Sequence, residues 1–380
     1  MTMKKIVFLT GTRADFGKLK PLIDKVSNSQ MFESFIFATG MHTLSKYGST
    51  YNEIEKYGYQ NVFVFMNQTH ITDADTILAN TITGFGNFIK EISPDLIVIH
   101  GDRIEALAGA LVGSFNNILV AHVEGGELSG TIDESIRHAI TKLSHLHFVA
   151  NADAKRLILQ LGELKNNIFV IGSPEIDIMK SNKLPSITEL NTRYNISFQD
   201  YAILIFHPIT TEINTLGDQI REIVAACIES KINYIVIYPN NDNGSDIIIK
   251  EYQRLKNKKH FKIYSSLRFE YFLTLLCHAK FVIGNSSVGV REAEIYGVPS
   301  INIGTRQKNR NKNKSISNLN SNKKDILKVI SKIKNKKFVP VNTFGDGKSN
   351  DRFYNIISNK KIWNVPTQKF FRVRKILTKP

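Results

Sequence analysis

The stretch HVEGGELSGTIDESIRHAI, residues 122–140, carries four carboxylates (Glu124, Glu127, Asp133, Glu134), two histidines and an arginine straight after the apolar run NILVA. A solvated turn accounts for some of that charge, but not for acids interleaved with glycines where a strand ends. A second acid, Asp102 with Arg103 beside it, follows another apolar run in HGDRIEALAGA (100–110). Carboxylates gathered in one place shift one another's proton affinity, so one can serve as acid and another as base. Asp102, Glu124 and Asp133 are the candidates for that work. Glu127 and Glu134 are read as solvated acids, and Arg137 as the partner of one of them.

The second half of the chain offers complementary chemistry. FVIGNSSVGVREAEIYGVP (281–299) reads as a strand, a Gly-Asn-Ser-Ser turn and a helix opening near Val288. Ser286, Ser287 and exposed amides at a helix start suit a phosphate or diphosphate. Gly284 and Gly289 would let the backbone approach the anion, and Glu292 could accept from ribose hydroxyls. Arg306, after the next strand, can reach the same anion, and Arg13 in GTRADFGK (11–18) would add a cation from the first half. Asp15 sits in that same turn. His207 and Asn240 end two further strands and aim at the same space.

These residues need elements to hold them. Apolar β-branched runs alternate with helix-length segments: KKIVFLT, SFIFAT, NVFVFM, PDLIVIH, NILVAHV, LHFVA and NIFVIG. A polar, proline-containing stretch at 173–200 reads as a linker. YAILIFH, NYIVIYP, FKIYSS, KFVIGN and PSINIG then follow. Nearly continuous apolar strands separated by helices predict α/β architecture: two doubly wound parallel sheets facing a cleft. The polar chemistry lies at the carboxyl ends of these runs, where such folds bind ligands.

Composition narrows the function classes. At 380 residues the chain suits two ordinary domains, and no apolar run reaches the length of a membrane span. The apolar part of MTMKKIVFLT is too short for a signal-peptide core, about 7–15 residues, and reads as a first strand. Cys227 and Cys277, fifty residues apart, read as ordinary thiols in a reducing cytoplasm. The net charge of +16 lies at the end: from Arg306 onward there are 21 Lys+Arg against three acids, while the first 305 residues hold 29 against 31. That Lys/Asn-rich tail lacks interleaved aromatics, so it reads as a solvated helix with loops and not as a nucleic-acid surface. The chain holds neither a P-loop nor a Gly-x-Gly-x-x-Gly after the first strand, so no nicotinamide or flavin cofactor is expected. His145 and His147 alternate on a strand with no zinc-type spacing, so no metal is expected.

GTRADFGKLKPL, HGDRIEALAGA, HVEGGELSGTIDESIRHAITKLSHLHFVAN, FHPITTE, YPNND and GNSSVGVREA…YGVPSINIGTRQ, in order over about residues 4–310, closely resemble the hydrolysing UDP-N-acetylglucosamine 2-epimerases of sialic-acid biosynthesis. The resemblance implies a GT-B-type fold of two Rossmann-like domains, residues 1–178 and 179–355, with 356–380 packing back on the first. It implies the reaction of UDP-GlcNAc with water to N-acetylmannosamine and UDP, a UDP-sugar as partner, and a homodimer. Ser286, Ser287, Arg13 and Arg306 then resemble diphosphate ligands and Glu292 a ribose ligand. Arg268 and Phe269 look like part of the uracil wall. Asp102, Glu124 and Asp133 resemble the catalytic carboxylates, with His207, Arg103 and Asn240 around sugar and phosphate. FHPITTE, and a loop between Glu124 and Asp133 shorter than that of the non-hydrolysing relatives, resemble the hydrolysing branch. The same resemblance leaves room for UDP-diacetamidobacillosamine or a GDP-linked sugar as substrate. A GT-B glycosyltransferase would use the nucleotide site and leave Glu124 and Asp133 without a task.

Overall fold

Apolar runs of this kind become central parallel strands because both of their faces can be covered. The computed structural model describes residues 3–69, 71–128, 132–307 and 313–369. The first seven runs form β1 (Lys4–Thr10), β2 (Phe32–Ala38), β3 (Val62–Val64), β4 (Leu96–His100), β5 (Leu119–Val123), β6 (Leu146–Val149) and β7 (Ile168–Val170). The next five form β8 (Ala202–Ile205), β9 (Tyr234–Ile237), β10 (Phe261–Tyr264), β11 (Val282–Gly284) and β12 (Ser300–Ile303). One strand, β13 (Ile316–Leu319), falls where the sequence predicts none.

The sheet orders are β3-β2-β1-β4-β5-β6-β7 and β10-β9-β8-β11-β12-β13, with parallel pairing. Each order reverses direction once, between β1 and β4 and between β8 and β11. A crevice opens beyond the strand ends at such a switch point, because the flanking helices leave in opposite directions. The fold is therefore the predicted α/β pair of Rossmann-like, doubly wound domains in a GT-B-type arrangement.

Alternation along the strands sends side chains to two cores. Ile6, Phe8, Leu96 and Val98 face the helix Arg13–Ser27, while Val7, Leu9, Ile97 and Ile99 face Phe85 and Phe88 of the helix Ala74–Ile92. In the second sheet Leu204 and Phe206 pack with the helix Ile213–Glu229, and Ile203 and Ile205 with the helix Phe269–His278. The chain then returns to the first half ahead of residue 356: the helix Ser349–Ile357 buries Phe353 and Ile357 beneath the first sheet. Described residues of the C-terminal segment end at 369.

Two sequence expectations need correction. The Lys/Asn-rich segment is not merely solvated. It supplies β13 and the helix Lys323–Ile333, whose Ile326, Ile330 and Ile333 recur at helical spacing and are buried in the second core. Each such burial stabilises by roughly 1.5–3 kcal/mol, so the lysines are the outer face of a structural helix. The stretch at 173–200 is also more than a linker. It folds into the helices Pro174–Met179 and Ile187–Tyr194, the latter opened by a Ser186/Glu189 capping box, and it buries Ile176, Met179 and Leu190. No described helix is long and apolar enough to cross a membrane.

Candidate active site

β4 ends at His100 and β5 at Val123, so Asp102 and Glu124 leave adjacent strands into one crevice. Glu124 takes the left-handed backbone, φ 61°, which a non-glycine residue adopts only where its surroundings over-determine it. Those surroundings are visible. Its Oε1 accepts from Ser173 Oγ at 2.5 Å and from Arg291 Nη2 at 2.8 Å. Its Oε2 accepts from Arg291 Nη1 at 2.8 Å and lies 3.1 Å from His100 Nε2. The glycines of this loop have a physical reason as well: at Gly126, φ 76°, a Cβ would come within 2.4 Å of the Ala154 carbonyl oxygen.

His100 is clamped from its other side, with Nδ1 2.9 Å from Asp15 Oδ1. Burial alone would keep the imidazole neutral, but Glu124 and Asp15 together push its pKa up to about 10. Asp15 therefore orients His100, while Thr12 caps the helix that follows. Burial also works against a charge on Glu124. Arg291, Lys18 and His100 overcome it and hold that carboxyl well below the usual range. Clustered acids do not raise Glu124, then, because cations outweigh its neighbours. The acid that is raised is Glu175, pushed to about 7 by burial even though Arg291 Nη2 lies at 3.0 Å and Lys18 Nζ at 2.9 Å; Glu124 and Glu292 nearby add to the shift.

The expectation for Glu127 and Arg137 fails. Glu127 is buried and accepts from Arg291 at 2.8 Å. Arg137 is buried too, and it donates to Asp102 and to the Glu127 backbone carbonyl. A helix one turn beyond Asp133 can reach back over the loop, which brings Arg137 onto Asp102. Glu134, which is partly exposed, lies 3.8 Å from His138.

In the second half, Ser286, Ser287, Val288 and Glu292 line the cleft. The predicted helix there does not extend: a single 3-10 turn, Ser287–Gly289, leads to the four-residue helix Glu292–Ile295. An anion would thus meet hydroxyls, amides and arginine, with no long helix behind them. Gly284 and Gly289 each have a packing reason to be glycine. At Gly284, φ 137°, a Cβ would lie 1.8 Å from the Ile205 carbonyl oxygen, and at Gly289 it would lie 2.4 Å from Ser300 Oγ. Glu292 is buried, with Oε1 3.3 Å from Lys18 Nζ and Oε2 without a hydrogen-bond partner among the described residues.

The remaining candidates divide. His207 Nδ1 accepts the Asn240 amide at 3.1 Å, which leaves the proton on Nε2; burial, Arg306 and Arg103 keep the ring neutral. The Asn240 side chain donates to Asp242 at 2.5 Å. Arg306 crosses the cleft to Asp133 at 3.2 Å. Arg13 also spans it, from Glu53 to Ser266, each at 2.7 Å, and Arg103 reaches Asn241 at 3.1 Å. Phe269 lines the cleft. Arg268 turns away, stacking on Tyr57 with its guanidinium 4.8 Å from the ring centre. His145 and His147 serve the fold, held by the Val120 amide and by Glu163.

Together these groups enclose a cavity of about 830 Å³ that runs between the sheets. A recess of about 100 Å³ off it is lined by Asp102, Glu124 and Asp133 on one side and by Ser287, Arg291 and Arg306 on the other. Lys18, His100, Ser173, Glu175 and Arg291 were not singled out from the sequence. The only local signal was their place: His100 ends β4, Ser173 and Arg291 lie in the segments after β7 and β11, and Lys18 lies in the first helix.

Three comparisons bear on this site. The UDP-N-acetylglucosamine 2-epimerase family profile matches residues 24–358. Over 373 residues the chain is 47% identical to a UDP-N-acetylglucosamine 2-epimerase of Neisseria meningitidis serogroup B, covering 97% of this chain and 99% of that protein. It is 32% identical over 361 residues to a hydrolysing UDP-N,N'-diacetylbacillosamine 2-epimerase of Legionella pneumophila, covering 93% and 96%. In fold it matches Methanocaldococcus jannaschii UDP-GlcNAc 2-epimerase in complex with UDP-GlcNAc and UDP, with a TM-score of 0.78 at 24% identity over 94% of this chain and 99% of that one. The chain belongs to the UDP-N-acetylglucosamine 2-epimerase family.

Proposed function

We propose that this chain is a hydrolysing 2-epimerase that converts UDP-GlcNAc and water to N-acetylmannosamine and UDP. The observation that carries the proposal is the shared recess, where Asp102, Glu124 and Asp133 meet Ser287 and Arg306. The C2 proton of the sugar is not next to a carbonyl, so no side chain removes it directly near neutral pH. Breaking the C1–O bond to UDP leaves C1 oxocarbenium-like and acidifies that proton. Ser286, Ser287 and Arg306 hold the departing diphosphate, and Arg13 closes the same cleft. A carboxylate takes the C2 proton, giving 2-acetamidoglucal and UDP. Water then adds its hydroxyl at C1, and a proton arrives at C2 on the opposite face, which yields the manno sugar. Glu292 Oε2 accepts from the ribose, and neutral His207 donates through Nε2 beside the diphosphate.

The test is product analysis by NMR in heavy water. Free N-acetylmannosamine with deuterium at C2 is expected, with UDP released in equal amount. A sugar still linked to UDP, or hydrogen retained at C2, would overturn the proposal. The Legionella relative makes UDP-N,N'-diacetylbacillosamine the rival substrate, and faster turnover of it would reassign the sugar while leaving the chemistry. The same reading makes the enzyme a cytoplasmic homodimer supplying sialic-acid synthesis, with sedimentation testing the dimer.

A further inference from the structure

Arg291 belongs to the second half of the molecule, five residues beyond Ser286, yet its guanidinium meets Glu124 and Glu127 of the first half and Ser173 and Glu175 of the segment joining the two. It is only 2% exposed. Its two terminal nitrogens grip both oxygens of Glu124 at 2.8 Å, a planar fork that a lysine cannot reproduce. The same group holds Glu127 at 2.8 Å and Glu175 at 3.0 Å and donates to Ser173, and its guanidinium stacks 4.8 Å from the Phe344 ring centre. The carboxylate it grips is the one on left-handed backbone. Without Arg291, Glu124 would keep His100 and Ser173 from the first half and the joining segment, but nothing to match the fork.

We propose that Arg291 is a positioning residue that carries closure of the cleft to the reacting carboxylate: Glu124 is set in its working geometry only when the nucleotide-binding half swings Arg291 onto it. Closing over the diphosphate at Ser286 and Ser287 and assembling the base are then one movement, because both depend on the segment after β11. An open enzyme would hold a poorly placed Glu124, so C2 chemistry waits for the bound nucleotide. The inference rests on Glu124 being the carboxylate that takes the C2 proton.

The charged groups facing Glu124 come from every side: Lys18 and Asp15 from the helix Arg13–Ser27, His100 from β4, Glu127 from its own loop, Glu175 from the helix Pro174–Met179, and Arg291 with Glu292 from the second half. Removing Arg291 takes away the cation that most favours the ionised form. The acidic limb of the pH–kcat/KM profile must therefore move to higher pH.

The experiment compares wild type, Arg291→Gln and Arg291→Lys by pH–rate profile, UDP affinity and thermal melting. Arg291→Gln is expected to lose roughly 10²-fold in kcat, to keep UDP affinity within about threefold, a change of well under 1.4 kcal/mol, and to shift the acidic limb upward. Arg291→Lys restores part of the rate and part of the limb, since it returns the charge without the fork. If Arg291→Gln does not fold, the lysine variant decides by the same partial shift. UDP affinity falling in step with kcat would make Arg291 a nucleotide ligand, and an unmoved limb would make it merely structural; either result overturns the proposal. Glu124→Gln separates the two layers: full activity there sinks the role of Glu124 itself, whatever Arg291 does.

Discussion

The two rims of the cleft are built from opposite materials. Beyond β4 and β5 the first half presents carboxylates and an imidazolium, each held by at least one charged partner, as in the chain Asp15–His100–Glu124. Beyond β8, β9 and β11 the second half presents mostly neutral donors and acceptors: Ser286, Ser287, Asn240 and an uncharged His207. Among its charged groups, Arg291 and Arg306 reach across to Glu124 and Asp133, and Glu292 lies 3.3 Å from Lys18. An acid rim alone would repel a nucleotide diphosphate, and a hydroxyl rim alone could not take a proton from carbon. On the proposed function the division gives one half the reaction and the other the leaving group, with arginines joining the two tasks.

Breaking the acid rim should cost most. Glu124→Gln, Asp102→Asn and Asp133→Asn are each expected to lower kcat by ~10²–10⁴ while leaving UDP affinity nearly intact, since general acid–base help is of that size. Isothermal titration with UDP beside turnover measures both. If affinity fell with rate, the two rims would not be functionally separate.

Next comes a break confined to the second half. Gly284→Ala forces a Cβ to 1.8 Å from the Ile205 carbonyl in left-handed backbone, a strain on the order of 3 kcal/mol. Urea unfolding should show that loss, with the carboxylate cluster of the first half untouched by the change itself.

A milder change sharpens the contrast. Ser287→Ala removes one donor to a charged diphosphate, worth about 1.5–3 kcal/mol, and should raise the Kd for UDP roughly ten- to a hundredfold. Hydron exchange at C2, measured once substrate is saturating, should change less than in Glu124→Gln.

The smallest effect concerns the raised acid. Glu175 is held protonated to about 7 against an ordinary 4.5, so between those values the folded state keeps a proton that the unfolded state releases. Stability from this group is present below 4.5 and declines as pH rises toward 7, at most about 1.4 kcal/mol per pH unit. Glu175→Gln should flatten that slope in denaturant titrations. His100 gives a later decline: its raised value means stability fully present below about 6.5 and lost as pH passes 10.

Much of the frame was legible in the chain itself. Strands such as PDLIVIH announce themselves because burial on both faces demands uninterrupted apolar side chains, and the order of such runs implies parallel sheets. Asp102, Glu124 and Ser287 stood out because polar residues just after such strands have few structural reasons to be there, and Asp133, at the start of the helix Ile132–Leu143, because acids crowd that stretch. β13 escaped notice because an edge strand, ISNL, needs little apolar character and sat among lysines and asparagines. Gly284 was visible as a glycine, but its packing reason was not, since only the register of β8 beside β11 reveals the carbonyl it must avoid.

What the sequence alone determined is the set of strands, the edge at which chemistry collects and the family motifs, because those depend on local pattern and chain order. Tertiary structure alone decided the proton affinities and partners: that Arg291 serves Glu124 from 167 residues away, that Arg137 serves Asp102, and that Glu175 is the acid whose proton affinity burial raises. The reason is that burial and ion pairing are properties of the assembled cleft. Their energies depend on distances between segments that no spacing along the chain records.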